Sequence, residues 1–184
     1  MDQLNPHARR DEYGSRINRS HSPVLVYSIP YLTVIIGIIV PNLILTSAVP
    51  IVPPLGFMML LAWRIVRPGL FPIWIGFPLG AIDDMFSGQP FGSSILLWSL
   101  AMIAIEVVEA RFPWRTYMQD WMNLSLVITV YIFAAALISG AEIGYAIILA
   151  IVPQLLLSVL LFPIIARMVS RLDRLRLMRV KVIG

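Results

Sequence analysis

Between residues 24 and 165 the chain reads as long apolar runs interrupted at short intervals by arginine, aspartate, glycine and proline. A helix that crosses a bilayer needs about 20 predominantly apolar residues. Cutting the runs at charges and helix breakers predicts spans at residues 24–43, at 47–63 closed by Arg64 and Arg67, and at 69–82 meeting Asp83 and Asp84. Further spans follow at 93–110, ahead of Arg111 and Arg115, at 121–139 and at 143–166. The second and third are short and carry Pro50, Pro53, Pro54, Pro72 and Pro78. Proline removes a backbone donor that lipid cannot replace, so these two are expected to be kinked or re-entrant, with neighbouring helices supplying the missing bonds.

Charge bias tests the count independently, because Lys and Arg in short loops stay cytoplasmic while acids weigh little. With six spans and both ends inside, Arg9, Arg10, Arg16 and Arg19 precede the first span, and Arg64, Arg67, Arg111 and Arg115 fill the inner loops. Arg167, Arg171, Arg174, Arg176, Arg179 and Lys181 follow the last. Those positions are all 14 basic residues, while the outer loops keep Asp83, Asp84 and Glu142. Losing either short span would throw later clusters across the membrane. The expected fold is therefore all-α, a polytopic bundle of about six transmembrane helices. Its parts are a polar cytoplasmic N-terminal tail (1–22), a transmembrane domain (23–168) and a basic cytoplasmic C-terminal tail (169–184). Trp63, Trp114, Tyr117 and Trp121 fall at predicted inner edges, as interface anchors or as packing between helices.

Composition agrees: 59% of residues are hydrophobic and 13% charged, against about 25% charged in soluble domains. Mean hydropathy is +0.84 and the pI about 9.9. The basic residues flank apolar segments and do not form a patch with interleaved aromatics, so nucleic acid is not an expected partner. The first apolar run is too long for a signal-peptide core and is expected to stay as an anchor. With no cysteine, disulfides, thiolate nucleophiles and thiolate metal sites are excluded. The only histidines, His7 and His21, lie in the N-terminal tail, which removes an intramembrane zinc site or Ser/His dyad. The Asp83-Asp84 pair lacks the second acidic cluster of a two-metal site. Neither an enzyme, a lipid-modifying one included, nor a cofactor is expected.

Three features remain as candidate sites. The segment from Gly76 to Gly92, with Gly80, Asp83, Asp84, Gly88, Pro90 and Gly92, suits a compact re-entry at the outer face. Its two aspartates are placed to cap the following helix, bind a cation or face a basic group of a partner. Glu106 and Glu109 fall one turn apart on one helix face. Glu109 is close enough to the interface to need no partner, whereas the deeper Glu106 calls for one such as Arg64 or Arg67. In the tail, Arg167, Arg171 and Arg174 share one helical face, and Met168, Leu172 and Leu175 another. Such a helix lies on the anionic leaflet or simply extends the last span.

The stretch Gly80, Asp83, Asp84, Gly88, Pro90 and Gly92, with its Gly-x-Pro-x-Gly turn ahead of an apolar helix ending in acids and Arg111, resembles the bacterial rod shape-determining protein MreD family. Size, span count and topology extend the resemblance over most of the chain. It implies a non-enzymatic inner-membrane subunit of the cell-elongation complex that scaffolds lateral peptidoglycan synthesis. The implied partners are MreC, MreB and the elongation-specific peptidoglycan synthase and transpeptidase. It also implies a fold similar to the substrate-binding subunits of energy-coupling-factor transporters, which supplies the alternative of a vitamin-type uptake component. Few polar residues lie within the spans, chiefly Thr33, Asn42, Asn123, Thr129 and Gln154, which favours the scaffold over a ligand pocket.

Overall fold

The computed structural model describes residues 19–20, 23–44, 52–112, 116–140, 144–177 and 181–182. Outside them lie His7, Arg9, Arg10, Arg16 and His21 of the N-terminal tail, residues 47–51 at the start of the second predicted span, Trp114, Arg115, Glu142 and Arg179. Six α-helices carry the described fold: α1 (Pro23–Ile44), α2 (Leu55–Val66), α3 (Gly76–Phe86), α4 (Ser93–Arg111), α5 (Tyr117–Ile138) and α6 (Tyr145–Arg176). Of these, α4, α5 and the Ile151–Arg176 part of α6 are long and apolar enough to cross a membrane, and Val26–Pro41 and Leu55–Val66 are shorter apolar helices.

Prolines set the short elements. Pro53 and Pro54 are not helical, and α2 starts immediately after them, with Met58 N donating to Pro54 O at 3.0 Å. Its 12 residues extend about 18 Å, well under the ~30 Å of a hydrocarbon core. The chain then turns through Gly69 at φ +80° and Pro72, makes a single 3-10 turn (Ile73–Ile75), and enters α3. Pro78 sits in the first turn of α3, where its missing N–H has no intrahelical partner to lose.

The unexpected feature is the position of α2. From Gly56 to Arg64 every residue is buried except half-buried Met59, so this helix is enclosed on all sides and forms the axis of the bundle. Phe57 stacks on Tyr131 of α5 with ring centroids 4.2 Å apart and leans on Trp98 of α4 at 5.5 Å. Val34 and Ile38 of α1 and Phe162 and Val169 of α6 complete the core. Trp63, expected as a candidate interface anchor, is instead fully buried, because the end of a central helix does not meet lipid. Its Nε1 donates to Thr33 Oγ1 at 2.9 Å.

Close helix contact rests on glycine. A Cβ on Gly80 would lie 2.7 Å from Ile95 Cα and Ser94 O, and one on Gly76 would lie 2.8 Å from Ser99 N and Trp98 O. The Gly76-x-x-x-Gly80 face thus lets the α3 backbone rest directly on α4, the small-residue packing on which membrane helices depend.

One boundary differs from expectation, and the C-terminal tail follows one of its two expected courses. Helix α3 continues through Asp83 and Asp84 to Phe86, so the aspartates belong to its last turn and not to a loop. Helix α6 runs without interruption past residue 168 to Arg176, so the C-terminal tail begins as an extension of the last apolar helix. Beyond it, Lys181–Val182 pairs antiparallel with Arg19–Ser20, joining the approaches to α1 and from α6 on one side of the bundle.

Replacing Gly80 with Ala is expected to destabilise the detergent-solubilised protein by about 1–3 kcal/mol through overpacking against α4. Thermal unfolding reads this as a lowered Tm, with little change for Ala at the exposed Leu96 of α4.

Candidate functional site

Between α3 and α4, Gly88 (φ +67°) and Gly92 (φ +99°) reverse the chain. The first N–H groups of α4 have no intrahelical acceptor, and a carboxylate from the neighbouring helix takes them. Asp84, buried, accepts Gly92 N and Ser94 N at 2.8 Å each, Ile95 N at 3.3 Å and Ser93 Oγ at 3.2 Å. Its negative charge also faces the positive end of the α4 dipole. Of the chemistries open to the doublet, the geometry gives Asp84 to capping. Half-buried Asp83 accepts Ser94 Oγ at 2.7 Å. Among the described residues no group of three or more His, Asp or Glu is arranged to hold a metal ion. The turn leaves Met85 and Phe91 exposed at 73% and 77%, an apolar rim beside the aspartates.

Glu106 lies at the opposite end of α4, 12 residues or about 18 Å along the axis from Ser94. It meets Arg64 from the end of α2. The same guanidinium bonds Glu109, with Nη2 at 2.6 Å and Nε at 3.1 Å, and donates through Nη1 to Phe71 O at 3.1 Å. One buried arginine therefore ties α2 to α4 and to the turn that follows it. Glu109, near the interface, is thus engaged as well as Glu106, because the buried end of α2 brings one guanidinium within reach of both acids. Beside it, Arg67 Nε pairs with Asp173 Oδ2 at 3.0 Å, and Asp173 Oδ1 with Arg176 Nε at 2.8 Å.

Arg176, expected at the membrane surface with its neighbours, is buried instead. Pro30 inside α1 has no N–H to offer Val26 O four residues earlier, and Arg176 Nη1 donates to that carbonyl at 3.1 Å. Its guanidinium also lies 5.5 Å from the ring centroid of Trp63. Nothing in the tail's basic text marks Arg176 out; Asp173, the lone acid there, was the available signal. Arg167, Arg171 and Arg174 remain exposed, and Lys181 enters through its backbone pairing.

A cavity of about 460 Å³ runs between α4 and α5. Leu97, Leu100, Ala104, Val127 and Val130 are among its apolar walls, while the charged Arg64, Glu109 and Asp120 and the neutral amide of Asn123 form its polar end. Along α5 the lining reaches from Asp120 to Ala134, about 21 Å.

A family model described as rod shape-determining protein MreD matches residues 19–174. The chain belongs to the MreD family. As an MreD-family protein it is a rod shape-determining membrane protein, and the match takes in the α3–α4 turn, both glutamates of α4 and Asp173. No curated protein and no solved structure matches the chain.

Arg64→Ala leaves two acids without their buried cation and is expected to cost about 3–5 kcal/mol, with Arg64→Lys recovering only part because one ammonium cannot serve this set of acceptors. Asp84→Ala is expected to cost about 2–4 kcal/mol from the lost cap and stranded donors. Asp83→Asn should stay within about 1 kcal/mol, the worth of one hydrogen bond. Denaturant or thermal unfolding in detergent ranks the variants.

Proposed function

We propose that this MreD-family chain is a non-enzymatic, six-span subunit of the bacterial elongation complex in the inner membrane, with both termini cytoplasmic. It scaffolds lateral peptidoglycan synthesis by holding other membrane subunits. MreC, MreB and the elongation-specific synthase and transpeptidase are the partners that the family resemblance implies. An even span count is supported by the gathering of Val26, Arg64, Arg67, Glu106, Glu109, Asp173 and Arg176 at one end of the bundle, while Asp83 and Asp84 lie at the other.

The observation that carries the reading is the shape of the cavity. It is a furrow between two consecutive apolar helices, walled by aliphatic side chains, with its charged groups collected at the Arg64 end. Side chains of a neighbouring transmembrane helix suit such a furrow, and Ala101, Ala104 and Ala134 permit close approach. A vitamin-type solute calls for convergent polar groups around an enclosed outer site. The exposed Met85 and Phe91 rim offers a second contact surface at the outer turn.

Depletion of the protein is expected to turn rods into spheres, and rod form retained together with lost vitamin uptake would refute the proposal. Ala104→Phe, which fills the furrow, should reduce co-purification of MreC or the synthase at least several-fold while Tm stays within a few degrees.

A further inference from the structure

The last turns of α6 present two different faces. Ala166, Val169, Asp173 and Arg176 point into the bundle and are buried. Arg167, Arg171 and Arg174, at i, i+4 and i+7, form one exposed row on the other side. Asp173, the acid that could have neutralised them, is held by Arg67 and Arg176, and among the described residues none of the three row arginines is in an ion pair. The helix end cannot peel away to lie flat on the leaflet without breaking the Asp173 pairs and the bond from Arg176 to Val26 O.

We propose that Arg167, Arg171 and Arg174 form a preorganised binding surface for the phosphodiester headgroups of anionic phospholipids in the inner leaflet. Position and dimension favour lipid over an acidic protein. The row begins where the apolar text ends, between Ala166 and Arg167, so its first guanidinium stands at the hydrocarbon boundary. From Arg167 to Arg174 the helix rises about 10 Å, while a headgroup layer is about 5–8 Å thick. Arginine arms that snorkel along the helix close that difference. Guanidinium groups are suited to phosphate through paired N–H donors, and each basic residue near an anionic leaflet strengthens attachment about fivefold. The site depends on α6 spanning the membrane and not on the scaffold role.

The chain has no cysteine, so Leu175→Cys, beside the row and 47% exposed, carries a single donor dye. The full chain is placed in nanodiscs containing headgroup-labelled phosphatidylglycerol or headgroup-labelled phosphatidylcholine. Energy transfer should favour phosphatidylglycerol, and the preference should weaken with added salt. It should fall about fivefold in Arg171→Gln, vanish when all three arginines become Gln, and survive largely when all three become Lys. An undiminished preference in the triple Gln variant would overturn the proposal. So would a Leu175→Cys chain that shows no preference and whose thiol-linked photocrosslinker captures a soluble subunit in cells, which would give the row to an acidic protein. Because the measurement uses the purified chain without partners, it can fail while the scaffold reading stands, and the reverse.

Discussion

A guanidinium at the end of a helix enclosed on every side has no water to solvate it, and removing it from water is compensated only by carboxylates and carbonyls brought to the same place. Arg64 is that group. Glu106 and Glu109 of α4 and the Phe71 carbonyl converge on it, and this fixes where α4 and the α2–α3 connection lie relative to the axis helix. Arg67, one turn further, reaches Asp173 and so fixes the end of α6. Arg176 then supplies the donor that Pro30 denies to α1. Four helices are held at one end by charges that, lacking α2 at the centre, would have been ordinary loop residues.

The other end follows the same requirement with the sign reversed. Unsatisfied N–H groups at the start of α4 need an acceptor, and Asp84 supplies it from α3. The glycines at positions 76 and 80 make the approach of α3 to α4 close enough for that carboxylate to reach. With both ends satisfied internally, the charge-assisted contacts concentrate on α2, α3, α4 and α6, and the α4–α5 seam stays open as the lateral furrow.

Much of this was legible in the sequence. Apolar runs placed α1 and α4 within a residue at each end, and Glu106 called for Arg64 or Arg67 because an acid at depth needs a cation. Hydropathy cannot say which of several apolar helices is central, so the burial of Trp63 and the engagement of Glu109 were not legible, and only the lone acid Asp173 pointed to the inward turn of Arg176. All three depend on α2. The early start of α5 at Tyr117 was readable: Thr116 and Gln119 form a capping box, with Thr116 N donating to Gln119 Oε1 at 3.0 Å. The continuation of α3 through the aspartates was not, since Asp83 and Asp84 break the apolar run by which the span was bounded.

Both the scaffold role and the lipid-facing arginine row require a chain that crosses the membrane an even number of times with the Arg64 end inside. The absence of native cysteine makes the decisive measurement clean. Single cysteines introduced as Phe91→Cys and Ser139→Cys should react with an impermeant maleimide added to intact spheroplasts, and those introduced as Pro68→Cys and Phe112→Cys only after permeabilisation. Labelling of Pro68→Cys or Phe112→Cys in sealed cells, or protection of Phe91→Cys, would contradict it.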